Sequence, residues 1–392
     1  MRPSAPAMDK TRKETKFMKT SLRTDDLRSG RRAYQPGNVV INRALTGLLA
    51  LIGLVVTSSF SHAAQGLHVV PSPFIANSTL SGAAIISDND IWAVGDISGS
   101  TASAEATLAE HFDGTAWTVI ATPAVNGSMF SSVAGAAGND VWAVGTQDAG
   151  GSGAALIEHW NGASWSVVAG PKLPKGSFLT GVTAISANDA WAVGSEPAPS
   201  NSQFIFNPLI EHWNGSSWSV VSSPVLVNGL LLKGISADAA NDVWVVGGNT
   251  VLHFDGANWT QVSSPSKVSL NTVSALSPGN VWGAGVGPGV YFPRATIEHW
   301  NGTAWSVVSS PNPSSRGNSF LEGIAAASAN NVWAVGGGTG AGPVTEHWDG
   351  QSWTIVATPS GVSSLNGVAA RSDGTVVAVG VGTNNSAIIL HN

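Results

Sequence analysis

The chain has 392 residues, of which 11% are charged and 46 are glycine, and it contains no cysteine. The lack of cysteine excludes disulfides, cysteine-ligated metals and cysteine nucleophiles, and a chain this rich in Gly, Ser, Thr and Asn is typical of an all-β protein with many turns. Residues 64–392 carry seven basic and 20 acidic side chains, which argues against nonspecific nucleic-acid binding by this part.

The first segment, residues 1–63, has the layout of an export leader. It contains 11 Lys or Arg residues, and an apolar run at 44–57 is followed by small residues at Ser61 and Ala63. This order is typical of a secretory signal peptide, and the apolar run is shorter than the about 20 residues needed to span a bilayer. We therefore expect a secreted or cell-surface protein, with an uncleaved membrane anchor as the alternative.

Two sequence motifs alternate along the rest of the chain, and together they contain all 16 Trp residues. The first motif has the form N-D-V-W-A-V-G and recurs every 38 to 53 residues. A recurrence of this length predicts a propeller array rather than a solenoid. The seven copies are Asn89–Gly95, Asn139–Gly145, Asn188–Gly194, Asn241–Gly247, Asn280–Gly285, Asn331–Gly336 and Thr375–Gly380, the last with Val377 in place of Trp.

The second motif has the form E-H-W-N-G-x-x-W. Its Asn-Gly or Asp-Gly pair is a strong signal for a β-hairpin turn. The apolar character of the first motif on both faces is typical of a strand covered on each side by a neighbouring sheet. Each unit therefore contains four strands. The copies of the second motif are Glu110–Trp117, Glu158–Trp165, Glu211–Trp218, Glu298–Trp305, Glu346–Trp353 and a degenerate copy at Leu252–Trp259.

The two ends of this region predict how the array closes. The seventh unit ends at Ala387–Asn392, after its third strand. The segment Leu67–Pro73 matches the fourth-strand pattern of Trp218–Pro224. We therefore predict a single domain at 66–392, an all-β, seven-bladed β-propeller with four antiparallel strands per blade. Its last blade is closed by the N-terminal strand, which leaves no open edge.

The repeats resemble those of known propeller families. The glycine that ends the second strand and the Trp residues near the third turn resemble kelch-type repeats. The N/D-G-x-x-W turn is similar to the Asp-box turns of sialidase-like propellers, and the W-A-V-G…W spacing is similar to tectonin-type lectin repeats. The resemblance covers residues 66–392 and implies an interaction surface for a ligand, often a carbohydrate, with enzymes as a minority.

One histidine recurs in each blade at an equivalent position of the third strand. Such positions lie too far apart around a ring to share a metal ion, which needs ligand distances of about 2.1 Å. We expect structural hydrogen bonds from these histidines and neither a metal nor a cofactor. The Glu that precedes them in five blades is assigned to the scaffold by the same reasoning. The histidines are His111, His159, His212, His253, His299, His347 and His391.

Function is expected where the blades differ, in the loops that join strand 2 to strand 3 and strand 4 to the next strand 1. These loops open on one face, called here the variable-loop face, which is predicted to be locally basic, whereas ten of the 12 Asp residues after residue 63 fall at turns on the opposite face. Aromatic rings stack on sugars or fill pockets, and Arg offers a rigid set of donors. The candidate ligand contacts are Tyr291, Phe292, Arg294, Phe204, Phe206 and Arg316.

These patterns favour a non-catalytic binding propeller that takes a carbohydrate or protein ligand on the variable-loop face. We expect a monomer with no nucleic-acid partner, in contact with a membrane only through an uncleaved leader. One alternative is a hydrolase or lyase acting on polysaccharides, which paired acids about 5–9.5 Å apart at the mouth of the propeller would favour. A second alternative is a purely structural envelope protein, which a featureless polar face would favour.

Overall fold

The computed structural model describes residues 66–392 except 100, 102–103, 124, 126, 149–152, 199–205, 225–230, 266, 290–291, 312–316 and 341. The predicted leader and three candidate contacts, Phe204, Tyr291 and Arg316, therefore lie outside the described residues. Within the described residues there is no helix that is both long and apolar enough to cross a membrane.

The described strands form seven antiparallel sheets of four strands, and each sheet is one blade. Blade 1 consists of β2 (Ser78–Ser87), β3 (Asp90–Ile97), β4 (Ala106–Phe112) and β5 (Trp117–Val119). Blade 2 consists of β6 (Met129–Ala137), β7 (Asp140–Gln147), β8 (Ala154–Trp160) and β9 (Trp165–Val167). Blade 3 consists of β10 (Phe178–Ser186), β11 (Asp189–Pro197), β12 (Phe206–Trp213) and β13 (Trp218–Val220).

The remaining four blades repeat this plan, and strands 1 to 4 below follow chain order within a blade. Blade 4 consists of β14 (Gly234–Ala239), β15 (Asp242–Gly247), β16 (Thr250–Phe254) and β17 (Trp259–Val262). Blade 5 consists of β18 (Ser269–Ser277), β19 (Asn280–Gly287), β20 (Arg294–Trp300) and β21 (Trp305–Val308). Blade 6 consists of β22 (Phe320–Ser328), β23 (Asn331–Gly337), β24 (Val344–Trp348) and β25 (Trp353–Ile355). Blade 7 consists of β26 (Val362–Ala370), β27 (Val376–Gly382), β28 (Ala387–His391) and, as its fourth strand, β1 (His68–Val69).

The predicted closure of the ring is confirmed. Strand β1 pairs antiparallel with β28, with His68 opposite His391 and Val69 opposite Leu390. Beside this strand, Leu67 is buried in a cluster with Trp333 of blade 6. The pairing covers the edge of β28, so each of the seven sheets is complete.

The apolar core is divided among the interfaces between blades. In six blades the Trp of strand 2 is buried and lies against the His of its own strand 3, with ring centroids 4.1–4.6 Å apart. Trp142, for example, also reaches Trp213 and Trp218 of the next blade, at 4.9 Å and 5.1 Å. The motif Trp residues therefore join neighbouring blades, which explains why both motifs recur together.

The glycine that ends the first motif is required by a close approach of the backbone, and in every blade except blade 4 strand 2 continues past it. A Cβ placed on Gly145 would lie 2.0 Å from the carbonyl oxygen of Met129, in the neighbouring strand of the same blade. The equivalent glycine of five other blades would meet a strand-1 carbonyl oxygen at 1.9–2.1 Å, and Gly247 of blade 4 would meet that of Leu231, just before strand 1, at 2.1 Å. No side chain fits at such distances, so glycine is the one residue that allows this register.

We expect Gly145→Ala to destabilise the protein by about 1–3 kcal/mol or more, because the added methyl group forces the two strands apart. Thermal unfolding of the variant measures the effect. Gly66→Ala is the matched control, since a Cβ at Gly66 has no neighbour within 4 Å. Equal melting temperatures for the two variants would contradict the explanation.

Candidate functional site

The loops between strands 2 and 3 and those between strands 4 and 1 lie at one end of the blades, as the antiparallel order requires. Two aromatic candidates lie at this end in different blades. Phe206 begins β12 in blade 3 and packs edge-on against Phe178, with ring centroids 5.6 Å apart. Phe292 precedes β20 in blade 5, and its side chain is 45% exposed. Arg294 begins β20 and pairs with Gly287.

The structure therefore separates Phe206 from Phe292 and Arg294 by one whole blade. In the intervening blade 4, strand 2 ends at Gly247 and strand 3 begins at Thr250, so only Gly248 and Asn249 connect them. The loop between strands 2 and 3 is therefore short in blade 4. Phe292 and Arg294 form one candidate contact region on one side of blade 4, and Phe206 lies on the other side.

A second set of residues, which sequence analysis did not group, lies at the centre of the same face. The seven first strands contact one another in a closed circle and so surround the propeller axis. In six blades the pairing register of strand 1 shifts immediately after a buried Leu or Phe, which leaves one bulged residue. Blade 4 has Lys233 at the equivalent position, before β14. These residues, called the bulge ring, are Ser81, Ser131, Thr180, Lys233, Asn271, Glu322 and Asn366.

Side chains of the bulge ring bridge neighbouring blades. Thr180 Oγ1 donates to the carbonyl of Leu232 at 2.9 Å, and Asn271 Nδ2 donates to the carbonyl of Leu321 at 3.0 Å. Asn366 Nδ2 makes the same contact across the join between blades 7 and 1, at 2.9 Å. These bonds tie the inner strands together and hold the ring residues in fixed positions.

The charged members of the bulge ring lie on one side of it. Lys233 is exposed, and its Nζ donates to Asn271 Oδ1 at 2.7 Å. Burial raises the pKa of Glu322, and the positive charge of Lys233 partly offsets this rise. Blades 4 to 7 thus contribute long polar side chains, whereas blades 1 to 3 contribute only the short hydroxyls of Ser and Thr. The bulge-ring side chains of blades 4 to 7 are called the polar arc; they are Lys233, Asn271, Glu322 and Asn366.

One pair of acids also lies on the variable-loop face. Asp96 is near the end of β3, and Glu105 immediately precedes β4 in the same blade. Burial raises the pKa of Asp96, the charge of Glu105 raises it further, and a hydrogen bond from Ser98 lowers it. The two carboxyl groups are therefore close enough to influence each other electrostatically.

The motif histidines have the structural bonds that their repetition predicted, with one exception. In six blades His Nε2 bonds to the Oδ1 of an Asp or Asn at the start of strand 2, at 2.7–3.0 Å. Among the described residues, His391 Nε2 of blade 7 has no such partner. Among the described residues no three His, Asp or Glu side chains are placed to hold a metal ion.

The motif glutamates differ from the histidines because they are fully buried between blades. The carboxyl oxygens of Glu110, Glu158 and Glu211 have no hydrogen-bond partner among the described residues, whereas Glu298 accepts a bond from Ser264 Oγ at 2.7 Å. Burial raises the pKa of Glu110 and Glu211 to about 7 and that of Glu158 to about 8. These acids belong to the scaffold, and burying a carboxyl group without a hydrogen-bond partner costs folding free energy.

A groove on the opposite face lies between blades 2 and 3. Its volume is about 450 Å³, and Trp142, His159 and Trp213 line it. These are the structural residues of the motifs, so the groove repeats the blade-to-blade packing and brings together none of the candidate contacts.

Solved structures of other proteins share this fold. YCF48 bound to a D1 peptide is 17% identical, with 83% of this chain and 94% of that chain covered and a TM-score of 0.55. Streptogramin B lyase is 13% identical, with 84% and 99% covered and a TM-score of 0.58. U3-55K is 12% identical, with 83% and 98% covered and a TM-score of 0.56. No protein-family model and no curated protein matches the sequence. At these identities the comparisons show the seven-bladed propeller fold alone.

Proposed function

We propose that this protein is a secreted or cell-surface, non-catalytic propeller that binds an extended polypeptide segment on its variable-loop face. The asymmetric bulge ring carries this proposal. Scaffold positions repeat from blade to blade, whereas the bulge position is polar in every blade and varies around the ring. A side chain that varies at a structurally equivalent position is free to serve recognition.

The chemistry of the polar arc fits a peptide. An extended peptide presents backbone N–H and C=O groups that need partners when they leave water. Lys233 offers an exposed ammonium group for a peptide carbonyl, an acidic side chain or a terminal carboxylate, and Glu322 offers a carboxyl group. Phe292 and Arg294 lie in blade 5, next to the blade of Lys233, and extend the surface outwards with an exposed aromatic ring and a guanidinium group. The solved structure of YCF48, which shares the fold, contains a bound D1 peptide.

A screen of peptide and glycan arrays with the purified protein tests this proposal. We expect selective binding of peptides, and Lys233→Ala should weaken it about tenfold or more, because a hydrogen bond to a charged group is lost. Lys172→Ala is the matched control, since Lys172 is an exposed lysine on the loop before blade 3. Glycan binding without peptide binding would favour a lectin instead, and equal losses in the two variants would place the site away from the ring.

A second candidate function, cleavage of a polysaccharide by a hydrolase or lyase reaction, rests on the acid pair in blade 1. Two neighbouring carboxyl groups can act as acid and base when their environments give them different pKa values. Asp96, which has a raised pKa, lies beside Glu105. Incubation with a panel of polysaccharides, followed by analysis of reducing ends and unsaturated products, tests for this activity. Activity that disappears in Glu105→Gln would establish the enzyme, and no product from any substrate would leave the binding function.

A further inference from the structure

The backbone conformation of Lys267 is unusual for a residue that carries a side chain. Its φ angle is 95°, in the left-handed region that glycine adopts readily and that a Cβ makes unfavourable. Lys267 lies three residues before the buried Leu270 of blade 5, and the equivalent position in blades 1, 2 and 3 also has a positive φ. The residues there are Asn77, Gly127 and Gly176, which tolerate this conformation. A lysine at this turn costs folding free energy, and strain of this kind is concentrated at functional sites.

Lys267 and Arg294 lie at the same end of blade 5, on opposite sides of β19. Ser269 pairs with Val286, and the next residue of β19, Gly287, pairs with Arg294. Lys267 is two residues before Ser269 and is exposed on the variable-loop face. The two strands that flank a central strand are about 10 Å apart, so both cations belong to one patch of the surface.

Lys233 adds a third cation from the neighbouring blade 4. Its Nζ donates to Oδ1 of Asn271, in the strand that Lys267 precedes, at 2.7 Å. Lys233 also interacts electrostatically with Glu322 of the bulge ring. Within the described part of the chain, by contrast, no ion pair involves Lys267 or Arg294. These three cations, Lys233, Lys267 and Arg294, are called the basic sector.

Acidic side chains of the variable-loop face are concentrated on the other side of the ring. No Asp or Glu occurs in the loops that lead into blades 4 and 5 or join their strands 2 and 3 on this face, residues 221–233, 248–249, 263–268 and 288–293. The corresponding parts of blades 1 to 3 contain four acids and two lysines, namely Asp96, Glu105, Asp148, Glu196, Lys172 and Lys175. Negative charge on a ligand is therefore attracted to blades 4 and 5 and disfavoured over blades 1 to 3. This distribution suits a short acidic segment better than a long polyanion.

We propose that the basic sector binds acidic side chains of the bound peptide, so that the ligand is an acidic polypeptide segment. This inference rests on the proposed peptide-binding function and specifies its class of ligand. The guanidinium of Arg294 forms two parallel hydrogen bonds to one carboxylate, and the ammonium of Lys267 attracts a second. Acidic residues two positions apart in an extended chain lie about 7 Å apart on one face, which suits two flexible cations on either side of β19.

Lys267→Gly tests the inference because it should raise stability and weaken binding in the same variant. Glycine relieves the strain at this positive φ, so the melting temperature should rise by about 1–3 °C. Loss of the charge should weaken the binding of an acidic peptide by about 3- to 10-fold. Lys172→Gly is the matched control, since Lys172 is exposed in the loop before blade 3 and has no positive φ. It should leave binding unchanged and should not raise the melting temperature.

An array of random decapeptides supplies the ligands for these measurements. We expect Asp and Glu to be enriched among the peptides that the purified protein binds. The tightest binder should lose about 3- to 10-fold in affinity when its acids are replaced by Gln. Bound peptides without enrichment of acids would refute this inference and leave the peptide-binding function standing, whereas an array without any binder would contradict both.

Two further results would also refute the inference. One is undiminished binding of the acidic peptide by Lys267→Gly, and the other is a lower melting temperature of that variant. Binding of polygalacturonic acid in place of acidic peptides would refute it in favour of an acidic glycan.

Discussion

The protein is expected to lose several kcal/mol of folding free energy as the pH rises from 4.5 to about 8. The buried motif glutamates are the cause, because their folded-state pKa values are raised to about 7 for Glu110, Glu211 and Glu346 and to about 8 for Glu158. Below pH 4.5 these groups are protonated in both states. Between pH 4.5 and their folded pKa, the unfolded chain releases protons that the folded chain retains, so unfolding becomes easier as the pH rises.

The size of the effect follows from the size of the shift. A pKa raised from 4.5 to about 7 corresponds to about 3 kcal/mol for one residue. The lowered pKa values of His299, His347 and His391, which burial causes, act in the opposite direction as the pH falls below 6.5. Chemical denaturation across this pH range measures the sum, and a free energy of unfolding that rises with pH would contradict the expectation.

Glu211→Leu isolates the contribution of one carboxyl group. Blade 4 already has Leu252 at the equivalent position, so the scaffold accepts this side chain. We expect the variant to be more stable than the wild type at pH 8 by up to about 3 kcal/mol, and to lose most of this advantage at pH 4.5. Glu298→Leu is the comparison, and its gain should be smaller because it also removes the bond from Ser264.

Trp142→Ala is expected to destabilise the protein by about 3–5 kcal/mol. The side chain of Trp142 is 1% exposed, and its loss removes contacts with His159 of its own blade and with Trp213 and Trp218 of the next. The effect combines lost burial with a large cavity between blades 2 and 3. Urea denaturation of the wild type and the variant measures the change.

Val377→Ala provides the matched comparison for Trp142→Ala. It truncates the equivalent position of blade 7, where the buried side chain is smaller and packs in one cluster with Trp117 of blade 1. We expect a clearly smaller loss than for Trp142→Ala, because fewer buried atoms are removed. Equal losses would show that the contacts of Trp142 do not dominate the packing of its interface.

The bulge ring shows why part of the candidate site could not be predicted from the sequence. The residue after the strand-1 Leu or Phe is polar in every blade, and this signal is visible in the sequence. Its meaning depends on a register shift that brings residues about 50 positions apart to one circle. Sequence analysis selected Phe206 and Arg294 instead, from loop composition, and the structure places them on separate blades.

The sequence by itself determined the seven blades, the four strands of each and the closing role of Leu67–Pro73, because these features depend on local turn chemistry and on a repeated pattern of apolar residues. Only the tertiary structure decided which polar side chains meet at the axis. It also decided that the motif glutamates lie between blades, where the carboxyl groups of Glu110, Glu158 and Glu211 have no hydrogen-bond partner among the described residues. The physical reason is that these properties depend on contacts between neighbouring blades. A repeat sequence specifies each blade separately, and packing two blades together then determines which groups are paired, buried or left with space.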